Sequence, residues 1–366
     1  MYSKICIVGD GITALMLSKA LIDLDINVSL FSNNFLNQKI DQSRTVAISE
    51  SNFLYLQKMG LFRNKKNKFW KIKEIKIFNS KLNISKPIIN FKNNNSIFYM
   101  IKNKEIYLKI KNKLIKNKLF NNFKYNDKNF FFKNSYDLII NCSGSNKIYK
   151  KFFYNKIKKN YDTVSYTTII KHKKINNNFA SQHFTEIGPI AFLPLSKDIT
   201  SVVWSIKNKS KKMSTSTFKQ KVQYYFSKKQ KIISFSKISQ FQINLTLLRD
   251  YYSKNILNFG DSLHTIHPLA GQGLNMIIRD IKFLKIIIEN KVKLGLPIDR
   301  NISIEFSKNT KHLNFLFVNG IDFIEKYFSI NNKIFNKYSD YLFSKINNDS
   351  SIKNFFTKIA DKGLNY

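Results

Sequence analysis

Two glycine-rich runs have the residue types and spacing to hold a phosphorylated cofactor. The first is Gly9-Asp10-Gly11-Ile12-Thr13-Ala14. In a Gly-x-Gly-x-x-Ala turn between a strand and a helix, the first glycine permits the tight turn and the second lets the backbone approach a pyrophosphate. The small third residue allows close helix–strand packing, and the anion rests on the helix N-terminus. The second run starts at Phe259-Gly260-Asp261, passes through His264 and His267-Pro268-Leu269-Ala270-Gly271-Gln272-Gly273-Leu274-Asn275, and reaches Arg279-Asp280. Asp261, at a strand end, offers a carboxylate to hydroxyl groups. Pro268 fixes the chain direction. Gly271 and Gly273 expose backbone N–H groups at a helix start, which suits an electron-rich or anionic group.

Other reactive residue types are sparse. His264-x-x-His267 has no adjacent carboxylate helix, so no metal site is expected. Cys6 and Cys142 sit in apolar strand-like runs and read as buried free thiols in a reducing compartment. His183 and Glu186 fall on a strand-rich segment and are of types able to accept a proton, although each reads first as packing or surface. No catalytic base is assigned.

The elements that position these runs follow from periodicity. Residues 4–8 form a strand, 12–24 a helix with an apolar face, and Asn27 to Phe31 a second strand, which makes a βαβ unit. Ser49-Glu50-Ser51 starts a helix closed by Gly60. Short strands are expected over 72–101, a basic helix over 103–119 and a strand from Asp137 to Cys142. Four strand-like runs (164–170, 180–185, 190–195 and 200–206) suggest an antiparallel sheet, followed by a helix over 214–227 and a strand over 239–247. A strand over 256–259 precedes a helix from about 273 to 290. Leu313, Phe317, Ile321 and Ile324 give the C-terminal third a helical period. Asn-Lys-rich patches at 63–68, 92–95, 121–129, 173–178 and 207–212 read as surface loops. The chain thus divides into cofactor-binding parts at 1–75, 102–150 and 250–295, interleaved with substrate-domain parts at 76–101 and 151–249, and a helical region at 296–366.

The second run resembles the Gly-Asp and His-Pro-x-x-Gly-Gln-Gly-x-Asn signature of the class A FAD-dependent aromatic monooxygenases. Leu269-Ala270-Gly271-Gln272-Gly273-Leu274-Asn275 and Arg279-Asp280 are most similar to the ubiquinone-biosynthesis hydroxylases. Arg44, in Asp41-Gln42-Ser43-Arg44-Thr45-Val46-Ala47-Ile48, is similar to an arginine that lies near the FAD in that family. His183-Phe184-Thr185-Glu186-Ile187-Gly188-Pro189-Ile190-Ala191-Phe192-Leu193-Pro194-Leu195 resembles a strand pair of its substrate domain, and Val202-Val203-Trp204 the next strand.

The resemblance implies an α/β fold: a Rossmann-like FAD-binding domain with an inserted mostly-β substrate domain and C-terminal helices, as in para-hydroxybenzoate hydroxylase. It implies FAD held by Gly9, Gly11, Ala14, Ser32, Arg44, Gly144, Gly260, Asp261, Pro268, Gly271, Gln272, Gly273, Leu274 and Asn275. It implies NADPH or NADH as reductant, and O2 transferred through a flavin hydroperoxide to the ring of a lipophilic, polyprenylated phenol. Two positions depart from the family. Ser32 stands where an acid usually meets the adenosine ribose, and Ser143 where an aspartate precedes Gly144. These departures keep a non-catalytic FAD-binding subunit of a quinone-biosynthesis complex in view, beside another aromatic hydroxylase or an isoprenoid-lipid reductase on the same fold.

The 366 residues suffice for two domains, and 62 Lys plus Arg against 23 Asp plus Glu give a net charge of +39. Lys, Asn, Ile and Phe are abundant throughout, as a base-composition bias would produce, and no nucleic-acid module is present, so nucleic acid is not an expected partner. A basic surface still favours anionic lipid. No run of about 18 apolar residues suggests a membrane-crossing helix. A cytoplasmic protein, peripheral on the inner face of the cytoplasmic membrane or docked on a quinone-biosynthesis complex, is expected.

Overall fold

The computed structural model describes residues 4–36, 41, 43–62, 69–79, 87–126, 136–207, 213–226, 231–266, 271–329 and 347–364. The chain is a mixed α/β protein. Its first sheet has six strands in the order Tyr252–Ser253, Ile256–Asn258, Leu138–Asn141, Lys4–Val8, Asn27–Ser32, Phe120–Lys124. All neighbours are parallel except the first pair. Ile5-Cys6-Ile7-Val8 and Leu138-Ile139-Ile140 are continuous apolar runs because both faces of a central parallel strand are covered. One cover is the helix Ile12–Ile22, buried over nearly its whole circumference and packed against the helix Asn103–Ile115.

Phe120–Lys124 lies partly in a stretch whose Asn and Lys content predicts a surface loop. It forms the edge of this sheet, with side chains mostly exposed. An edge strand needs only one hydrogen-bonded side and no buried face, so its composition can match a loop's.

The second sheet has nine strands. Its main path runs His264–Thr265, Ser239–Leu248, Lys156–His172, Ile199–Lys207, Gly188–Pro194, Phe179–Thr185, Glu74–Asn79, Ile89–Lys92, and Ile232–Phe235 pairs with Lys156–His172. The four expected strands pair antiparallel in this sheet where they are consecutive in space. One face is covered by the helix Thr215–Phe226. There Phe218 and Val222 pack on Ile170, Ile190, Phe192, Val202, Trp204 and Ile206.

A third, three-stranded sheet joins Thr45–Ser49, Phe98–Lys102 and Phe69–Ile72. Glu74–Asn79 and Ile89–Lys92 belong to the large sheet, whereas Phe98–Lys102 turns to the small one. The described residues also form the helices Glu50–Lys58, Lys147–Phe152, Gln272–Lys293, Arg300–Ser329 and Ser350–Lys362. Phe317, Val318 and Ile321 on the Arg300–Ser329 helix pack over the large sheet's second face with Leu245, Leu247 and Phe184. Among the described residues no helix is long and apolar enough to cross a membrane.

Candidate functional site

The strands of the first sheet align their carboxyl ends. Val8 pairs with Phe31 and Asn141, and Asn141 with Asn258. Gly9, Ser32, Ser143-Gly144 and Gly260-Asp261 therefore leave the sheet along one edge, where the chain order reverses and open α/β sheets bind ligands. Gly9 has φ +150°, and its N–H donates to Phe31 O at 3.0 Å. A Cβ on Gly9 would come 3.2 Å from Cys142 Cβ, whereas one on Gly11 would meet nothing within 4 Å. Gly11 thus faces open space at the N-terminus of the helix Ile12–Ile22, and Ala14 is buried behind it.

Asp10, an interchangeable position in the motif, has a definite task. Its Oδ1 accepts from Asn33 N at 2.7 Å and Asn34 N at 2.9 Å, so it shapes the loop after Ser32. Ser32 is buried, and its hydroxyl donates to Asn122 Oδ1 at 3.1 Å, on the neighbouring edge strand. Asn141 is a second residue that the sequence did not single out. Fully buried, it donates to Asn258 Oδ1 at 2.7 Å and Ser143 O at 2.9 Å and accepts from Asn146 Nδ2 at 2.8 Å. It thereby fixes the turn that presents Gly144. Gly144 is close to the Gly260 loop: its Cβ position is 3.7 Å from Ser262 Cβ.

The start of the helix Gln272–Lys293 forms the other wall. Gly271 is its N-cap at φ +62°, and a Cβ there would be 3.4 Å from Ala47 Cβ. Asn275 is buried and locks this start to its surroundings. Its Oδ1 accepts from Ser49 N at 2.9 Å and Asn52 Nδ2 at 3.1 Å, and its Nδ2 donates to Ala47 O at 2.8 Å. Asn275 therefore positions the glycine turn from behind. Gly271, Gln272, Gly273 and Leu274 are half-buried, and Gln272 Oε1 is shut from solvent with no hydrogen-bond partner among the described residues. Pro268, with His267, lies outside the described residues.

Asp261 bridges the two walls. Its side chain reaches solvent, yet enough protein surrounds it that burial pushes its carboxyl above the usual range, with His264 and Arg44 pulling it back. Contact with solvent inside a dense shell is the signature of a cleft floor. Arg44 is exposed, with its guanidinium 5.9 Å from the centre of the Phe241 ring on the large sheet. His264 is buried, with Nε2 2.7 Å from Asp280 Oδ2. Among the described residues no group of three or more His, Cys, Asp and Glu is placed to hold a metal ion.

The large sheet turns its two faces to different tasks. His183 pairs with Ile190, and Ile190 with Trp204, on the face under the helix Thr215–Phe226. His183 stacks on Phe78 at 4.4 Å, with Phe192 and Tyr225 around it. Burial pushes it down to about 4. Glu186 is exposed at the turn. Neither residue is on the face that looks toward Arg44. That other face carries Gln182, Ala191, Val203 and Thr167, cross-strand neighbours that are all half-buried. It continues to Leu193 and Ala180, which pack on Ala47 and Met100 of the small sheet. A Thr45–Ser201 hydroxyl contact of 2.9 Å ties the two sheets together.

Comparison with known proteins agrees with this geometry. A family model described as an FAD binding domain matches residues 140–291. The chain is 26% identical over 215 residues to the mitochondrial ubiquinone biosynthesis monooxygenase COQ6 of Dictyostelium discoideum, covering 49% of this chain and 43% of that protein. It is 24% identical over 274 residues to the same-named protein of Schizosaccharomyces pombe, covering 62% of this chain and 57% of that one. It is 30% identical over 118 residues to the 3-demethoxyubiquinol 3-hydroxylase of Escherichia coli, covering 31% of this chain and 30% of that enzyme. The matched stretches span about half the length of the COQ6 proteins, or less. Among solved structures, the p-nitrophenol 4-monooxygenase PnpA of Pseudomonas putida superposes over 100% of both chains with a TM-score of 0.77 at 11% identity. Klebsiella pneumoniae HpxO, solved with FAD and uric acid, covers 99% of this chain and 97% of its own with a TM-score of 0.71 at 12% identity. The chain thus has an FAD binding domain on the fold of the class A FAD-dependent aromatic monooxygenases, and its relatives in sequence are the ubiquinone-biosynthesis hydroxylases.

Proposed function

We propose that this protein binds FAD in the cleft and hydroxylates the ring of a lipophilic, polyprenylated phenol in ubiquinone biosynthesis. The observation that carries the reading is the pair of loops at the carboxyl edge of the first sheet, the open turn at Gly11 and the carboxylate of Asp261, together with the glycine turn at Gly271 to Gly273 that starts the next helix. The buried, unpartnered Oε1 of Gln272 fits a polar group at that helix start, because an orphaned acceptor otherwise costs about 1–3 kcal/mol. In this reading Gly9, Gly11 and Ala14 receive the pyrophosphate, and Gly144, Gly260, Asp261 and Arg44 line the path between the walls. Gly271, Gln272, Gly273 and Leu274 meet the ring system, and Asn275 holds their turn. Ser32 contributes a hydroxyl already shared with Asn122.

Bound FAD, once reduced, supplies the oxygen-transferring chemistry. The chain supplies position and dryness. Backbone N–H groups at the start of the helix Gln272–Lys293 favour negative charge on a reduced ring. The half-buried strip Gln182, Ala191, Val203 and Thr167, two polar and two apolar side chains, is a floor for a phenolic substrate ring. NADPH or NADH is the proposed reductant. The names of the sequence relatives support the substrate class. Contact with an anionic membrane is favoured by Phe315, Leu316 and Phe323, which are 44%, 56% and 66% exposed on a helix that also carries Lys308, Lys311 and Lys326.

A second reading, an FAD-binding subunit without turnover, is favoured by Ser143. This residue offers the cleft a hydroxyl, 3.4 Å from that of Ser145, in place of a carboxylate. The visible spectrum of the purified protein, followed by anaerobic titration with NADPH and NADH, tests both readings. Flavin bands bleached by either nucleotide support the hydroxylase. Bands that persist through both nucleotides, together with no hydroxylated product when the chemically reduced protein is given phenol and O2, support the second reading. Absence of flavin after reconstitution with FAD defeats both.

A further inference from the structure

The helix Glu50–Lys58 is capped from outside itself. Its N-cap is Ser49, in extended backbone at φ −62° and ψ 159°, yet the Ser49 side chain makes no cap hydrogen bond to the helix it starts. The Ser49 hydroxyl donates instead to Asp361 O at 3.1 Å, and the Ser51 hydroxyl donates to the same carbonyl at 3.1 Å. The carboxylate of Asp361 returns the contact, its Oδ1 accepting from Ser51 N at 2.8 Å. An orphan N–H at the start of one helix and an orphan carbonyl at the end of another are thus satisfied together. The pairing also sets the positive end of the helix Glu50–Lys58 against the negative end of the helix Ser350–Lys362. The latter caps its own start, where Asp349 Oδ1 accepts from Ser351 N at 2.8 Å and Ile352 N at 3.1 Å.

The helix Gln272–Lys293 completes this junction. Burial pushes its Arg279 and Lys282 down to about 10 and about 8, and Asp361 draws both back up, with Asp280 helping at Arg279. Gly363, at φ +80°, seats the end of the helix Ser350–Lys362 so closely that a Cβ would come 2.8 Å from Arg279 Nε. Lys282 Nζ donates to Ser51 O at 3.2 Å and to Asn52 Oδ1 at 2.6 Å. Residues 49–52 are therefore gripped from two sides. Asp361 and Lys282 hold one. On the other, Asn275 Oδ1 accepts from Ser49 N and Asn52 Nδ2, while Asn275 Nδ2 reaches Ala47 O at 2.8 Å and Gly271 O at 3.5 Å.

We propose that Asp361 is a positioning residue for the cofactor site: by fixing the start of the helix Glu50–Lys58 it fixes Asn275, and through Asn275 the glycine turn at Gly271 to Gly273. This role rests on the reading of the cleft as an FAD site. The route is indirect, from Asp361 to Ser51, along one helical turn to Ser49, and from Ser49 to Asn275. A carboxylate suits the task because it meets a helix N-terminus and two buried cations at once.

A double-mutant cycle between Asp361→Ala and Asn275→Ala in the full chain tests this. Asp361→Ala alone should weaken FAD binding about fivefold, the equivalent of one lost helix cap, as read by quenching of flavin fluorescence. In the Asn275→Ala background the same substitution should change the affinity by less than about twofold, because the link it acts through has gone. An equal fold-change in both backgrounds, or an unchanged affinity in the single variant, overturns the proposal. Hydrogen exchange of the flavin-free protein reads the same route. Asp361→Ala should speed exchange at residues 49–53 and also at 271–280. Faster exchange at 49–53 with wild-type exchange at 271–280 would make Asp361 a helix cap and nothing more. Asp361→Asn, of nearly equal volume, takes the place of the alanine variant in both measurements if that chain does not fold. The exchange arm needs no flavin: a protein that never binds FAD defeats the hydroxylase reading, while exchange still decides whether Asp361 reaches the turn.

Discussion

His264 and Asp280 meet across the loop that carries the second glycine run, Nε2 to Oδ2 at 2.7 Å with both side chains buried. Histidine from the strand end is thus held by an acid from the third turn of the helix that this loop starts. Asp280→Asn keeps the volume and removes the charge-assisted bond. The variant should lose about 1.5–3 kcal/mol in urea unfolding, the usual worth of a hydrogen bond to a charged group. Weaker FAD retention during gel filtration should accompany that loss, because the loop is free to shift.

Gly260 and Thr13 connect the two glycine runs. Gly260 has φ +72°, and a Cβ there would sit 2.5 Å from Thr13 Cγ2. Gly260→Ala should cost about 1–3 kcal/mol through overpacking, beyond the strain of a left-handed alanine. Adding Thr13→Ala should recover the packing share and leave the backbone share. A double-mutant cycle measured by denaturation separates the two. Strict additivity would mean that the contact is not what matters.

Asn275→Ala removes the acceptor for Ser49 N and Asn52 and the donor to Ala47 O. Leaving the buried Ser49 N–H unsatisfied costs about 1–3 kcal/mol. The affinity for FAD, read by quenching of flavin fluorescence, should fall together with stability. An affinity loss without a stability loss would instead mean that Asn275 touches the cofactor directly.

His183 gives the fold a pH dependence of known sign. Its folded value is lowered by burial from 6.5 to about 4. Above 6.5 it is neutral in both states and contributes no slope. Below 6.5 the unfolded chain binds a proton that the folded chain refuses, so stability falls as pH drops from 6.5 toward 4. The slope reaches at most about 1.4 kcal/mol per pH unit. His183→Phe should flatten that part of the stability profile, as followed by urea melts at pH 7, 6 and 5. An unchanged slope would place the titration elsewhere.

The parts legible in the sequence are those where backbone geometry demands a residue type. Gly9, Gly260 and Gly271 all have positive φ, and each lies at a turn that the motif spacing locates. The helix starts and the apolar central strands follow for the same reason: burial on two faces leaves few alternatives. The supporting polar residues were harder to see. Asn141 reads as an interruption of an apolar run and Asp10 as an unspecified position, because a hydrogen bond to a distant loop leaves no local period. Phe98–Lys102 has the composition of its neighbours, and only tertiary pairing sends it to the small sheet. His183 sits on an alternating strand, where one register step decides whether it meets the helix Thr215–Phe226 or the face toward Arg44. Ile324 fits the stripe of Leu313, Phe317 and Ile321 by spacing, yet it is 39% exposed where Ile321 is 8%.

The strand Ile256–Asn258 lies beside Leu138–Asn141, with more than a hundred residues of other structure between them in the chain. The cofactor edge is therefore finished late in synthesis. A nascent chain that already displays Gly9 to Ala14 lacks Asp261, the turn at Gly271 and the clamp of Asn275. Such a chain should gain little from FAD. Ligand-assisted folding can begin only after the helix Gln272–Lys293 has left the ribosome, and until Ile256–Asn258 is made the apolar strand Leu138–Asn141 has an unpaired side that chaperones or aggregation can claim.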